Sequence, residues 1–223
     1  MFNQGLNATE IFLKYFVRVL IIFLILPLHE CAHAFVAKKM GDNTAYNAGR
    51  LTLNPIAHID IVGAILLVFT GFGWAKPVPI NPNNMKNPRL GISLTALAGP
   101  VSNLLAALVA MIIWKFIAGL VAMTQTLVYV YYIFYFFIQV NVGLAVFNLI
   151  PVPPLDGDKV LSYFTSLNYK IWVHNHQQII MIIFLVLILT PALSYPLNWL
   201  TDIVLKFLDL ITAWIPLLTS LIK

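Results

Sequence analysis

Residues 27–34 read PLHECAHA, and within them His29, Glu30 and His33 stand at a spacing that suits metal chemistry. On a helix, positions four apart lie about 40° apart and one turn along, so the two imidazoles share a face and can grip one Zn²⁺. Glu30 lies about 100° round from His29, near enough to reach a water on that metal without ligating it. This is the H-E-x-x-H arrangement in which two histidines hold zinc and the glutamate serves as general base in hydrolysis. Cys31, about 200° round from His29, points away and reads as a packing residue. The competing reading is a pair of hydrogen-bonded polar residues inside a helix bundle. Ionisable groups at membrane depth are costly and as a rule functional, which favours the metal.

A catalytic zinc takes three protein ligands and leaves a fourth position open. The chain has only eight acidic residues, so the search for the third ligand is short. Glu10 and Asp42 fall at helix ends, and Asp60 closes the loop NPIAHID. Asp202 and Asp209 flank Lys206 at helical spacing and read as an ion pair within the membrane. Asp156 stands apart. FNLIPVPPLDGDKV puts it just past a long apolar helix and a Pro-rich break, where a carboxylate can sit on a fixed turn. Asp158 competes from two residues further on; Asp156 is preferred for its tight-turn neighbour Gly157.

The elements that must carry these residues are membrane helices. Of 223 residues, 61% are hydrophobic and 9% charged, against about 25% charged in an ordinary soluble domain. Mean hydropathy is +0.89. No soluble interior of this size hides so much apolar surface, so the bilayer is the solvent. Net charge is +5, but the basic residues are scattered, which excludes a nucleic-acid partner and leaves them to orient the chain in the membrane. The single cysteine excludes an intramolecular disulfide. The N-terminal stretch lacks the basic region and cleavage site of a signal peptide, so the first apolar run is expected to stay.

The predicted fold is all-α and polytopic, one membrane domain over 1–223 with about five transmembrane helices. These cover 11–40, 91–121, 126–151, 177–194 and 197–221, the last pair broken by Pro191 and Pro196. The segment 59–80, IDIVGAILLVFTGFGWAKPVPI, is too short in its apolar part to cross, and its glycines and β-branched residues predict a re-entrant hairpin, with β structure as an option. If His33 and Asp156 touch one metal, the end of helix 11–40 and the end of helix 126–151 face one side, and 59–80 must return to the side it left. Lys38, Lys39, Arg50, Lys76, Lys86, Arg89, Lys159, Lys170 and Lys223 then share that side, with Lys14, Arg18 and Lys115 in the other half. The heavy side is expected to be cytoplasmic. The metal is expected about 14 Å below that surface, at 1.5 Å per helical residue.

Taken together, His29-Glu30-Cys31-Ala32-His33 and Asn148-x-x-Pro151-x-x-x-Leu155-Asp156-Gly157 resemble the site-2 protease family of intramembrane zinc metalloproteases. LTLNPIAHID, FGWAKPVPIN and AGPVSN extend the likeness to its small prokaryotic members, across most of 25–160. The resemblance implies one zinc per chain held by His29, His33 and Asp156, with Glu30 as general acid/base. It implies a multi-pass protein of a prokaryotic cell membrane, its active site opening to the cytoplasm, that cleaves transmembrane protein substrates and has no PDZ or CBS module. Asn148 belongs to the second signature and would steady the substrate or the Asp156 turn.

A transmembrane helix must unwind before its carbonyls can be attacked, and the hairpin around Gly73 and Trp74 would offer an exposed strand edge to pair with the unwound stretch. Asn141 is expected to bond across helices, and Asn103 to act as a donor behind the ligands. Ala98/Ser102 and Ala106/Ala110 read as a close-packing row. His58 reads as a satisfied loop histidine, His174 and His176 as solvated in a loop. Two other functions remain in play: a metal transporter or channel, which would need several ligand clusters along a path and has no use for Glu30, and a non-catalytic scaffold, which an intact Glu30 disfavours.

Overall fold

Pro27 shapes the start of the motif helix. It has no N–H to give to the carbonyl four residues back, and its ring crowds that carbonyl. In the computed structural model the chain widens there into a π-turn over Ile21–Ile25, between α1 (Ala8–Leu20) and α2 (Leu26–Lys39). Such single-turn bulges recur at functional sites. The structure describes residues 8–70, 73–122, 124–188 and 190–222; Gly71 and Phe72 of the GFGW stretch, and Lys223, lie outside the described residues. Tyr15–Lys39 as a whole is long and apolar enough to cross a membrane. α2 stops at Gly41, whose φ of 108° only glycine adopts readily, while the Asp42 N–H closes on the Ala37 carbonyl at 2.9 Å.

Two compact units are described, residues 1–88 and 89–223. In the first, α3 (Thr44–Asn47) follows α2, and α4 (Ile61–Thr70) begins where Asp60 caps the Gly63 N–H at 2.8 Å. The chain then doubles back as an extended arm over 73–81. The Lys76 N–H reaches the His58 carbonyl at 2.9 Å, and Ile59 and Ala75 form an isolated antiparallel bridge. The hairpin expected over 59–80 therefore forms, but its outgoing limb is a helix. The β option is corrected: no strand occurs among the described residues. The run IVGAILLVFT satisfies its own backbone as a helix, whereas Pro77 and Pro79 deny the arm the donors of a ladder. Arg18 of α1 donates to the Val68 carbonyl near the end of α4.

The second unit holds the rest of α5 (Pro88–Leu120), a 33-residue helix with Pro100 inside it, and α6 (Gln125–Asn148). Its core gathers Ala107, Ala110, Met111, Ile138, Val142 and Leu208. The buried row of α5 runs Gly91, Thr95, Gly99, Asn103, Ala107, one position along from the expected Ala98/Ser102 row, with Ala110 common to both. Small residues occupy both rows, so neighbours rather than size choose the face. α7 (Asp156–Ser162) and α8 (Leu167–Asn175) are short. α9 (Gln177–Ile188) has only 12 residues and meets α8 at 70°.

The span expected over 177–194 thus holds only the 12-residue α9 and the start of the next helix, and α9 makes a candidate span only when joined to α8 as a bent pair. Pro191 does not end a helix but starts α10 (Pro191–Ile211), where its missing N–H costs nothing, and Pro196 lies inside it. α11 (Trp214–Ile222) follows. The described chain has four helices able to cross a membrane, or five if the bent pair is one span, which is the predicted all-α polytopic class. Asp209 pairs with Lys115 of α5 at 2.7 Å, not as the expected partner of Lys206. Packing of α10 on its neighbours sets that choice, which helical spacing alone does not reveal.

Candidate metal centre

α2 carries His29 and His33 on its buried side, 5% and 7% exposed, with ring centroids 4.6 Å apart and planes at 87°. The four-residue spacing does what helix geometry requires: adjacent turns put both rings on one face. Glu30 and Cys31 are half-buried. Asp156 is the first residue of α7, 7% exposed, after a turn through the Pro153–Pro154 cis bond. Lys159, one turn on, lies 3.6 Å from its carboxylate.

Gly157, expected as a tight-turn neighbour, sits where a Cβ would stand 2.3 Å from the Leu149 carbonyl oxygen and 2.4 Å from that of Ile150. Only glycine lets α7 begin so close to the end of the preceding helix.

His29 and His33 of the first unit and Asp156 of the second are all buried, and each offers a side-chain atom able to ligate a metal ion. Two imidazole nitrogens and one carboxylate oxygen form a donor set suited to zinc, and three protein ligands are the number a catalytic zinc site uses. Asp158, the competitor, is half-buried on the same short helix, where Asp156 is buried. Burial pushes its carboxyl up, against the pull of Lys159.

The other expected residues are scattered in role. Asn148 and Asn141 donate within their own helix, to the Leu144 carbonyl at 2.9 Å and the Phe137 carbonyl at 2.8 Å, so the cross-helix bond expected of the Asn141 amide goes to its own backbone. Asn141 Oδ1 is buried with no protein partner. Asn103 is fully buried on α5. Gly73 packs with its Cα against α4: a Cβ there would meet the Gly63 carbonyl at 2.1 Å, and Trp74 beside it is 47% exposed. His58 is a satisfied histidine, as expected, with Nε2 2.8 Å from the Thr52 carbonyl. His174 lies within α8, not in a loop, and is exposed; His176 caps α8 and stacks on Trp172 at 4.7 Å.

Two residues escaped sequence reading. Asp42, read only as a helix-end acid, is fully buried and accepts from the Thr44 hydroxyl at 2.5 Å, the Asn81 N–H at 2.6 Å and the Asn84 amide at 3.1 Å. Arg50, counted only as an orienting charge, is 5% exposed. Beyond their near neighbours Thr44 and His58, Asp42 and Arg50 reach the Asn81 N–H and the Pro77 carbonyl, 39 and 27 positions away, which no local pattern signals.

A membrane-helix architecture with a buried histidine pair on a helix bearing H-E-x-x-H points to a zinc-metallopeptidase class. Comparison with known proteins bears this out. The family model "Peptidase family M50" matches residues 115–191. "Putative zinc metalloprotease YwhC" of Bacillus subtilis (strain 168) is 41% identical over 172 residues, covering 76% of this chain and 78% of that relative. "Putative zinc metalloprotease MJ0611" of Methanocaldococcus jannaschii is 34% identical over 60% of this chain and 63% of its own length. "Putative zinc metalloprotease Rip2" of Mycolicibacterium smegmatis is 27% identical over 82% and 70%. No solved structure matches. The chain belongs to peptidase family M50, the site-2 proteases, and is a zinc metalloprotease and integral membrane protein.

Proposed function

We propose that the protein cleaves peptide bonds within or near the transmembrane segments of other membrane proteins, with His29, His33 and Asp156 holding one zinc ion and Glu30 as general acid/base. The single observation that carries this is the buried pair of imidazoles on one side of α2, ring centroids 4.6 Å apart, with Glu30 next to the first of them. When bound, zinc supplies Lewis acidity to a scissile carbonyl and acidity to a water.

The chain's own residues do the rest. Glu30, next to His29 in α2, takes the proton of the attacking water and later gives it to the leaving amine. The half-buried position of Glu30 limits bulk water around that transfer. A substrate helix must unwind to expose its carbonyl, and the extended arm at Gly73–Ala75 offers backbone for it to pair with. Pro77 and Pro79 supply no N–H, so pairing beyond Ala75 lacks donors at those two positions. The basic residues flanking α2 and α5 support a site that opens to the cytoplasmic face of a prokaryotic cell membrane.

The test is Glu30→Gln, purified in detergent and presented with a single-pass membrane reporter. Zinc content should stay near one per chain while cleavage falls by about 10²–10⁴-fold. Cleavage at the parent rate would remove Glu30 from the mechanism.

A further inference from the structure

The arm 73–80 has almost nothing of a sheet to hold it. One isolated bridge joins Ala75 to Ile59, and prolines at 77 and 79 remove two backbone donors. Side chains take over that duty. At the far end Asp42 accepts from the Asn81 N–H at 2.6 Å. In the middle, Arg50 donates through one terminal nitrogen to the Pro77 carbonyl at 3.0 Å and through the other to the Lys76 carbonyl at 2.5 Å.

That second nitrogen also lies 3.3 Å from His58 Nδ1. A guanidinium only donates, so Nδ1 accepts and the ring proton sits on Nε2, directed at the Thr52 carbonyl 2.8 Å away. The chain thus runs from Thr52 through His58 and Arg50 to the arm. Burial pulls the Arg50 guanidinium below its usual range, and the charge of Glu30 works in the opposite direction. A buried cation is a poor way to gain stability alone, since apolar packing does as well or better. Its fork does something packing cannot: it fixes two successive carbonyls of an otherwise ladder-free strand.

We propose that Arg50 is a positioning residue that straps the extended arm through the Lys76 and Pro77 carbonyls, holding the Gly73–Ala75 edge ready for an unwound substrate. The kinetic part rests on the proteolytic reading above; the strap itself does not. Arg50→Lys keeps the charge and loses the fork.

The experiment places Val78→Cys in the arm, measures its maleimide labelling rate after subtracting that of Cys31 in the parent chain, and compares Arg50 with Arg50→Lys. Labelling should rise severalfold, with zinc content and thermal midpoint unchanged. For a transmembrane reporter, KM should rise about tenfold with kcat within about twofold. Unchanged labelling overturns the strap, whether or not the protein cleaves anything. Faster labelling with kcat falling and KM constant overturns the substrate-positioning role and leaves the proteolytic reading intact. Faster labelling with no cleavage by the parent sinks the proteolytic reading and keeps the strap. If Arg50→Lys does not accumulate, His58→Asn, which breaks the Thr52 link, must speed labelling; an unchanged rate overturns the proposal.

Discussion

Asp42 is fully buried, and its burial works to raise its carboxyl. Hydrogen bonds from the Thr44 hydroxyl, the Asn81 and Thr44 N–H groups and the Asn84 amide outweigh that and hold the group below the usual carboxylate range. A carboxyl depressed in the folded state stabilises it at every pH above its unfolded value, near 3.9, and loses that contribution as pH falls through the folded value. Metal-free protein should therefore melt higher than Asp42→Asn by a constant margin between pH 5 and 8, and the margin should shrink below about pH 4. A margin that grows in acid would show that hydrogen bonding to the anion is not what Asp42 contributes. The pairing of His29 with His33 was legible because helix geometry links sequence spacing to direction over one turn. The links of Asp42 and Arg50 to the arm were not, because those partners lie 39 and 26–27 positions away.

At the level of elements, α4 and the arm touch through two glycines. A Cβ on Gly63 would stand 2.2 Å from the Trp74 carbonyl oxygen, a backbone atom that cannot simply rotate aside. Helix propensity alone makes Gly63→Ala stabilising by about 1 kcal/mol. Overpacking against backbone makes it destabilising by about 1–3 kcal/mol, and that effect should win. Thermal unfolding decides the sign, and a higher midpoint for Gly63→Ala would mean the hairpin is looser than described. The turnback of 59–80 was readable from its short apolar run and its glycines. The helical limb was not, because a ten-residue apolar stretch satisfies helix and buried strand alike. The same ambiguity hid the role of Pro191: a proline that interrupts an apolar run can end one helix or begin the next, and only the extended Thr190 before it shows which.

For the molecule as a whole, large side chains such as Tyr195, Trp199 and Leu210 are 64–76% exposed on α10, an arrangement that water would penalise and lipid accepts. The reading that the basic side faces the cytoplasm can be checked at the two ends of α5. A cysteine at Ala122 should react with an impermeant maleimide in intact cells, and one at Asn83 only after permeabilisation. The reverse pattern overturns the orientation, and equal labelling of both in intact cells would mean that α5 does not cross.

Spacing and composition were enough to determine the membrane class and the pairing of His29 with His33 beside Glu30, because these depend on overall apolarity and on local helix geometry. The scarcity of other acids is what singled out Asp156 as the candidate third ligand. Tertiary structure decided the rest: that Gly157 lets its backbone come close to the Leu149 and Ile150 carbonyls, that Asp209 pairs with Lys115, and that Arg50 and Asp42 bond the backbone of the arm. A residue's direction along its own helix follows from its position in the chain. Its distant neighbours depend on how separate segments fold back on one another, which no local pattern encodes.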